Sequence, residues 1–436
     1  MRFAPLWARA EPPVLTWYPD ASGSFATYEP GGPTAADNPF FHPLGTNGRA
    51  CVSCHQPADG WTITPAHVEA RFKASHGQDP LFRPIDGAVC PNADVSTPAA
   101  MRRAYGLLLS KGLIRMPMPI PPDAEFSVVK VDDPYGCTKL AGPKRGVLSV
   151  YRRPLPATNL RFESEIMWDG REASLQSQAI SAAIGHEQAS GVPPAKTLDA
   201  VVRFESGLWS AQVSDGRAGS LRELGAGGGP IDLSRQDFYL GINDSLGNDP
   251  IQRAFTLEVF NIYQPWLGLK AKPFAEQRAA IARGEEIFNQ RAFFMAGLAG
   301  LQSRGRDQMA TGFCTTCHDT PNVGNRSVAG TIDIGTADAS RRTPDLPLFT
   351  LRCDWGEFRG QTFETDDPGR ALITGKCADI STFKVPVLRN LAAHPPYFHD
   401  GSAATLMDVV NFYDLRFGMG FTEQEKSDLV AFLQTL

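Results

Sequence analysis

The chain contains the pentapeptide Cys-x-x-Cys-His twice, at residues 51–55 (CVSCH) and 314–318 (CTTCH). This spacing is the attachment signature of c-type haem. Two cysteine sulfurs add to the vinyl groups of the porphyrin, and the adjacent histidine binds the iron as its proximal ligand. We therefore expect two covalently bound haem c groups. The residues that hold them are Cys51, Cys54 and His55, and Cys314, Cys317 and His318.

The four remaining cysteines are Cys90, Cys137, Cys353 and Cys377. An even number suits an oxidising compartment, in which disulfides persist. Of the three possible pairings we favour the one between sequence neighbours, 90 with 137 and 353 with 377, and buried free thiols are the alternative. Each closed loop would stabilise the fold by roughly 3–4 kcal/mol. Because haem is attached to this motif outside the cytoplasm in bacteria, we expect an exported, periplasmic protein.

The beginning of the chain is predicted to be a leader over residues 1–35. The tripeptide Ala8-Arg9-Ala10 fits a signal-peptide cleavage site, although no apolar stretch of signal-peptide length precedes it. We therefore interpret the part before Glu11 as the remnant of a truncated or removed signal peptide. Residues 11 to 48 are rich in Pro, Gly, Asp and Asn, which predicts irregular structure.

Charge and hydropathy exclude two classes of partner. The net charge of -5 argues against nucleic acid. No run of apolar residues approaches the length of a membrane-spanning helix, so no membrane span is expected.

The elements that must position the two haems are predicted to be mainly α-helical. Helical spacing is found over 98–112, 174–186, 197–213, 276–288 and 422–433, and residues 126–131 read as a strand. We expect two cytochrome c-like haem domains with long irregular loops. The N-terminal domain spans 36–270, with an insertion at about 77–145, and the C-terminal domain spans 271–436.

Two segments resemble known signatures. Residues 167–178 (MWDGREASLQSQ) resemble the tryptophan-centred signature of bacterial di-haem cytochrome c peroxidases. Residues 383–390 (FKVPVLRN) and 396–401 (PYFHDG) resemble the C-terminal signature of the same proteins. The superfamily includes MauG, which uses two haems to oxidise a partner protein. The resemblance covers the first haem motif and roughly residues 160–190 and 275–436.

The resemblance implies roles for four residues near the first haem. Trp168 takes the place of the tryptophan that relays electrons between the haems, and Gln178 that of a distal glutamine. The family's distal acid falls within residues 186–188 (HEQ). We favour His186, whose unperturbed pKa lies near working pH, and then Glu187, which would need burial to hold a proton.

The resemblance also bears on the iron ligands. Opposite His318 the peroxidases carry a methionine and MauG a tyrosine, and this chain carries Tyr413, with Met419 or no protein ligand as the alternatives. For the first haem, the family's releasable histidine has no counterpart because no His lies between 77 and 185. His67 and His76 are the remaining candidates, and we expect the first iron to be open.

The family binds calcium between its domains through an asparagine side chain and backbone carbonyls. The carbonyls of Val385 and Pro386 match, but residues 152–156 (RRPLP), where the asparagine is expected, contain none. Calcium requires oxygen ligands, so this calcium site lacks its side-chain ligand.

These features predict an exported di-haem peroxidase that reduces hydrogen peroxide to water. Electrons would pass from a small redox protein, a cytochrome c or a cupredoxin, to the C-terminal haem and through Trp168 to the N-terminal haem. The first alternative is a MauG-like enzyme that oxidises side chains of a partner protein. The second is a non-catalytic electron carrier with both irons six-coordinate.

Overall fold

The computed structural model describes residues 12–32, 36–270, 273–295, 298, 300 and 310–436. It is 30% helical and 18% strand, so the prediction of a mainly α fold is wrong. The first 11 residues of the predicted leader, and with them the proposed signal-peptide remnant, lie outside the described residues. None of the helices in the described ranges is long and apolar enough to cross a membrane.

Fourteen strands form five small antiparallel sheets in the part of the chain that the structure describes. The strands are β1 (Val14–Pro19), β2 (Gly23–Glu29), β3 (Ile114–Pro119), β4 (Phe126–Asp132), β5 (Lys139–Gly142), β6 (Arg145–Arg152), β7 (Trp209–Asp215), β8 (Gly219–Ser220), β9 (Phe293–Met295), β10 (Ala310–Gly312), β11 (Thr331–Ile332), β12 (Leu348–Cys353), β13 (Thr362–Thr365) and β14 (Phe383–Lys384).

The helices lie mostly around the two haem motifs. They are α1 (Pro65–Ser75), α2 (Pro98–Ala104), α3 (Gly106–Lys111), α4 (Leu175–Gly185), α5 (Ala195–Ser206), α6 (Pro230–Leu233), α7 (Ala275–Gln290), α8 (Cys314–Cys317), α9 (Ala371–Thr374), α10 (Leu406–Phe417) and α11 (Glu423–Leu433). Side chains of Ser174, Thr405 and Thr422 cap α4, α10 and α11, because each accepts a hydrogen bond from a first-turn backbone N–H.

The N-terminal segment is a hairpin instead of an irregular leader over its described part. Strands β1 and β2 pair with each other, and β2 pairs in turn with β7 to give the order β1-β2-β7-β8. The helix predicted over 197–213 therefore ends at Ser206, and the chain continues as a strand. Aromatic and β-branched residues such as Trp209 and Val213 favour that strand once the hairpin supplies a partner.

The insertion builds a sheet together with the C-terminal half of the chain. Strand β4, predicted at 126–131, is confirmed, and it pairs with β12 in the order β13-β12-β4. A buried core of apolar side chains from both halves, including Phe126 and Phe349, packs against this sheet. The insertion therefore ties the two predicted domains to each other.

Both predicted disulfides are confirmed. Cys90 is bonded to Cys137 and Cys353 to Cys377, with Cα–Cα distances of 5.5 and 6.3 Å. The first lies within the insertion region, and the second joins β12 to the turn that follows α9.

Helices α7 and α11 enclose the second haem motif at close range. A Cβ on Gly284 of α7 would lie 2.0 Å from the carbonyl oxygen of Asp428 in α11, so only glycine permits this crossing. The core around it includes Phe288 and Phe432, whose ring centroids are 5.8 Å apart.

Candidate haem sites

The first haem motif forms a tight turn that directs its histidine inward. The ring Nδ1–H of His55 donates to the carbonyl of Trp61 at 3.0 Å, which leaves Nε2 as the nitrogen for a metal. Burial lowers the pKa of His55 to about 4, against the opposing effect of that hydrogen bond, so the ring is neutral. The thiols of Cys51 and Cys54 are unpaired.

The second motif repeats this arrangement on the short helix α8. The Nδ1–H of His318 donates to the carbonyl of Gly324 at 2.5 Å, and burial lowers its pKa to about 4. Cys314 and Cys317 are also free thiols. In each motif a neutral imidazole with a free Nε2 borders an apolar cavity beside two unpaired cysteines, and this donor set fits a haem c.

The wall of the first cavity contains several polar side chains. Arg49, Gln178, His186, Glu187 and Glu205 all line it. Three of these were predicted from the sequence, and the fold brings Gln178 at the start of α4 and the His186–Glu187 pair at its end to the same cavity. Their roles stay predictions.

His186 belongs to a buried network of charges. Its Nδ1 bonds Asp86 Oδ2 at 2.5 Å, and Arg49 pairs with the other oxygen of Asp86. Burial raises the pKa of Asp86, but the bonds from His186 and Arg49 outweigh that effect and lower it. Asp86 therefore stays a carboxylate that orients His186.

Glu187 is 3% exposed and tied to the backbone. One carboxylate oxygen accepts the N–H of Leu44 at 2.7 Å, and the other lies 3.5 Å from the sulfur of Cys51. Burial raises the pKa of Glu187 above its usual value. This is the burial that the sequence argument required for a carboxyl that holds a proton.

Trp168 lies at the wall between the two cavities. It lines the second cavity while its neighbour Met167 lines the first, and residues 154–156 line both. Its indole N–H donates to the carbonyl of Arg153 at 2.8 Å, and its own carbonyl accepts the N–H of Lys384 at 2.8 Å. One bond therefore holds the indole ring and the other the backbone of Trp168.

The second cavity has an almost wholly apolar and aromatic wall. Tyr413 and Met419 both line it, so both predicted ligand candidates reach the same space. Burial raises the pKa of the Tyr413 hydroxyl above its usual value.

His67 and His76 do not line the first cavity. His67 hydrogen-bonds the carboxylate of Asp59 and has a half-exposed side chain. His76 is exposed in a left-handed conformation at the end of α1.

The expected calcium region is filled by cations of the chain itself. The guanidinium of Arg152 is buried between Asp169 and Asp367, with N–O distances of 2.6 Å to each. Arg153 donates to the carbonyls of Lys111, Ile63 and His394. Residues 152 and 153 therefore do not fit a calcium ion.

Across the described ranges, no group of three His, Cys, Asp or Glu side chains is arranged to hold a metal.

Sequence reasoning missed Arg49, Asp86 and Glu205. Arg49 and Asp86 lie in turn-rich segments without a periodic signal. The burial of Glu205 could have been predicted from the sequence. It falls on the same helical face of α5 as Leu198 and Val201, which are buried.

No family model matches the chain. Curated proteins do match it. A cytochrome c551 peroxidase of Nitrosomonas europaea is 29% identical over 270 residues, which are 59% of this chain and 69% of that protein. The cytochrome-c peroxidase IdrP1 of Denitromonas iodatirespirans is 32% identical over 28% of this chain and 36% of its own length. The cytochrome c peroxidase Ccp of Escherichia coli is 26% identical over 62% of this chain and 50% of its own length.

Among solved structures, a MauG-like protein associated with microbial copper homeostasis aligns with a TM-score of 0.43 and 15% identity, over 100% of this chain and 95% of that one. The curated relatives match between about a third and about two thirds of their own lengths. All three carry the name cytochrome c peroxidase, so over part of its length the chain is similar to proteins of that name, which are oxidoreductases.

Proposed function

We propose that the protein is an exported di-haem peroxidase that reduces hydrogen peroxide to two waters at the first haem, with two electrons and two protons. The electrons would enter at the second haem and cross through Trp168. In this proposal, residues 36–270 and 271–436 each carry one haem c. The observation that carries the proposal is that Trp168 lines the second cavity while the adjacent Met167 lines the first.

A haem with an open iron supplies the chemistry that cleaves the O–O bond of peroxide. The residues of the first cavity supply proton handling. Gln178 would orient the peroxide, and Glu187 or His186 would take up the proton of the near oxygen. Burial favours the protonated form of Glu187, and the carboxylate of Asp86 holds the ring of His186 in one orientation.

The electron path is proposed to run along a rigid segment. An indole can be oxidised transiently, and the hydrogen bonds of Trp168 to Arg153 and Lys384 keep its ring at one place in the wall. A reduced cytochrome c or cupredoxin is the proposed donor. The two disulfides support a periplasmic location, because such bonds persist in oxidising compartments.

A MauG-like activity on a partner protein is the second candidate, and Tyr413 favours it. A tyrosinate opposite His318 would stabilise an oxidised second haem, and Tyr413 lines that haem's cavity. In that case side chains of a partner protein would supply the two electrons.

The test compares the haem-loaded protein with Trp168→Phe and with the control Trp355→Phe, whose ring is 50% exposed. Peroxide consumption is measured with a reduced c-type cytochrome as donor. We expect turnover in the wild type and the control, and at least a tenfold loss in Trp168→Phe. Equal turnover in all three would contradict the proposed path. A wild type with no spectral response to peroxide would identify an electron carrier instead.

A further inference from the structure

Glu205 is a buried carboxyl on the wall of the first cavity that has no bonding partner. It is 5% exposed, and its Oε2 has no hydrogen-bond partner. It lies one turn after Val201 on α5, and both side chains line the cavity. A buried carboxylate without a partner costs several kcal/mol, so such a group keeps its proton.

Its place on a cavity wall separates Glu205 from other buried carboxyls of the described chain. Asp366 also has two unpartnered oxygens, but it lines neither cavity. Glu285 is also buried, but its two oxygens accept the backbone N–H groups of Ile262 and Tyr263 at 2.7–3.0 Å. Those bonds give Glu285 a structural role in joining two segments. Glu205 faces the cavity and lacks any comparable bond.

The surroundings of Glu205 contain little that could hold its negative charge. Helix α4, which packs against α5, carries no charged residue, and Arg203 on α5 itself is exposed. Apart from Cys51, Cys54 and His55 of the haem motif, the charged and titratable side chains that line the same cavity are Arg49, Glu163, His186, Glu187 and Lys384. None of these side chains bonds Glu205. Burial alone raises the pKa of Glu205 to about 8.

We propose that Glu205 is a proton donor of the first cavity and delivers its proton to the departing oxygen of hydrogen peroxide. This inference rests on the proposed peroxidase function. As the O–O bond breaks, the departing oxygen takes the Glu205 proton and leaves as water, and Glu205 becomes a carboxylate. The remaining oxygen takes up the two donor electrons and a proton from solvent to give the second water. A further solvent proton restores Glu205.

Glu187 and Glu205 would then divide the work. Glu187, tied to the N–H of Leu44, would take up the proton of the near oxygen and return it to that oxygen after the O–O bond has broken, so the departing oxygen receives only the Glu205 proton. Glu205 carries the additional proton that the overall reaction consumes. Because α4 and α5 are adjacent, one cavity receives both carboxyls.

The experiment uses the haem-loaded protein, hydrogen peroxide and three variants. Glu205→Gln removes the transferable proton but keeps the shape of the side chain. Glu205→Asp keeps a carboxyl, and Asp199→Asn is the matched control on the exposed face of the same helix. The rate of the peroxide-induced absorbance change is followed by stopped flow as a function of pH, and a protonated buried carboxyl is followed by its infrared carbonyl band.

We expect the wild-type rate and the infrared band to be highest below the Glu205 pKa of about 8 and to fall above it. Glu205→Gln should lack the band, react at least about tenfold more slowly at pH 6 and lose this pH dependence. Glu205→Asp should restore part of the rate and the pH dependence, and Asp199→Asn should behave as the wild type.

Two results would overturn the inference while leaving the peroxidase function intact. One is a reactive wild type that Glu205→Gln matches in rate and pH profile at equal haem content. The other is a wild type that reacts but shows no infrared band attributable to Glu205. A wild type that does not react with peroxide overturns the proposed function and the inference with it, and a band that Glu205→Gln removes would then show only that Glu205 is a protonated buried carboxyl.

Discussion

The two haem motifs are nearly identical in sequence, but the walls around them differ. The first cavity is lined by Arg49, Gln178, His186 and three glutamates, at 163, 187 and 205. The second is lined mainly by aromatic and aliphatic side chains and has no carboxyl among its described residues, and Lys384 lines both. Charged and protonated groups beside a haem iron with a free coordination position suit cleavage of the O–O bond of peroxide. An apolar lining suits a haem that stores and transfers electrons. The pentapeptide attaches the cofactor, and the wall decides what the cofactor does.

The strongest test of this asymmetry removes each proximal histidine in turn. His55→Ala should abolish peroxide reactivity, a loss of more than about 1,000-fold, because the reacting iron loses its ligand. His318→Ala should keep a single reaction with peroxide but lose turnover with a reduced donor. Stopped-flow and steady-state assays on both variants measure this. Equal losses of single-turnover reactivity would show that the two sites are not specialised.

Arg152 lies beside Trp168 in the fold, because it pairs with the neighbouring Asp169. Replacing it with Met would leave the buried carboxylate of Asp367 without its counter-charge and Asp169 with Arg171 alone, and should lower the free energy of unfolding by about 3–5 kcal/mol. Arg222→Met is the control, because its pair with Asp232 is partly exposed and should contribute less than about 1 kcal/mol. Denaturant unfolding followed by circular dichroism measures both, and similar values for the two variants would contradict the assignment.

Substitution of Glu187 tests whether the carboxyls of the first cavity take part in the reaction with peroxide. Glu187→Gln should slow the peroxide reaction by about 100-fold, since a general acid or base typically contributes that much or more. Burial raises the pKa of Glu187, so the protonated form persists to higher pH than for a free glutamate, and the rate assigned to that form should decline as pH rises through the raised value. Glu423→Gln, whose side chain is 90% exposed, serves as the control.

Substitution of Tyr413 tests the predicted iron ligand in the second cavity, and of these four tests it has the smallest expected effect on the protein. Tyr413→Phe should change the absorption spectrum of the second haem while the free energy of unfolding changes by less than about 1.5 kcal/mol, because only a hydroxyl is lost. Met419→Leu should leave that spectrum unchanged. The opposite pattern would identify Met419 as the ligand, and no change in either variant would indicate that neither side chain binds the iron.

Local patterns predicted some elements well. The helices near 276–288 and 422–433, the strand at 126–131 and both disulfides follow from periodicity, capping and cysteine spacing, and the structure contains all of them. The mainly α fold was wrong because its missing strands depend on distant partners. Strand β2 needs β7, and β4 needs β12, more than 180 and 200 residues away along the chain.

Some residues of the candidate site could likewise be named from the sequence, and others could not. Gln178, His186 and Glu187 could be named because the resemblance places the family's distal residues at set distances after Trp168 along the chain. Asp86 and Glu205 could not, because only the packing of remote segments brings Asp86 to His186 and places Glu205 in the same cavity.

The sequence by itself determined the two places at which haem c is predicted to attach, because covalent attachment is a local reaction of five consecutive residues. The tertiary structure decided which cavity is polar and which is apolar. It also decided that Trp168 lies at the wall between them, and that the chain's own arginines fill the region of the expected calcium. These outcomes depend on side chains that are distant in sequence, and only packing sets their burial, charge and neighbours.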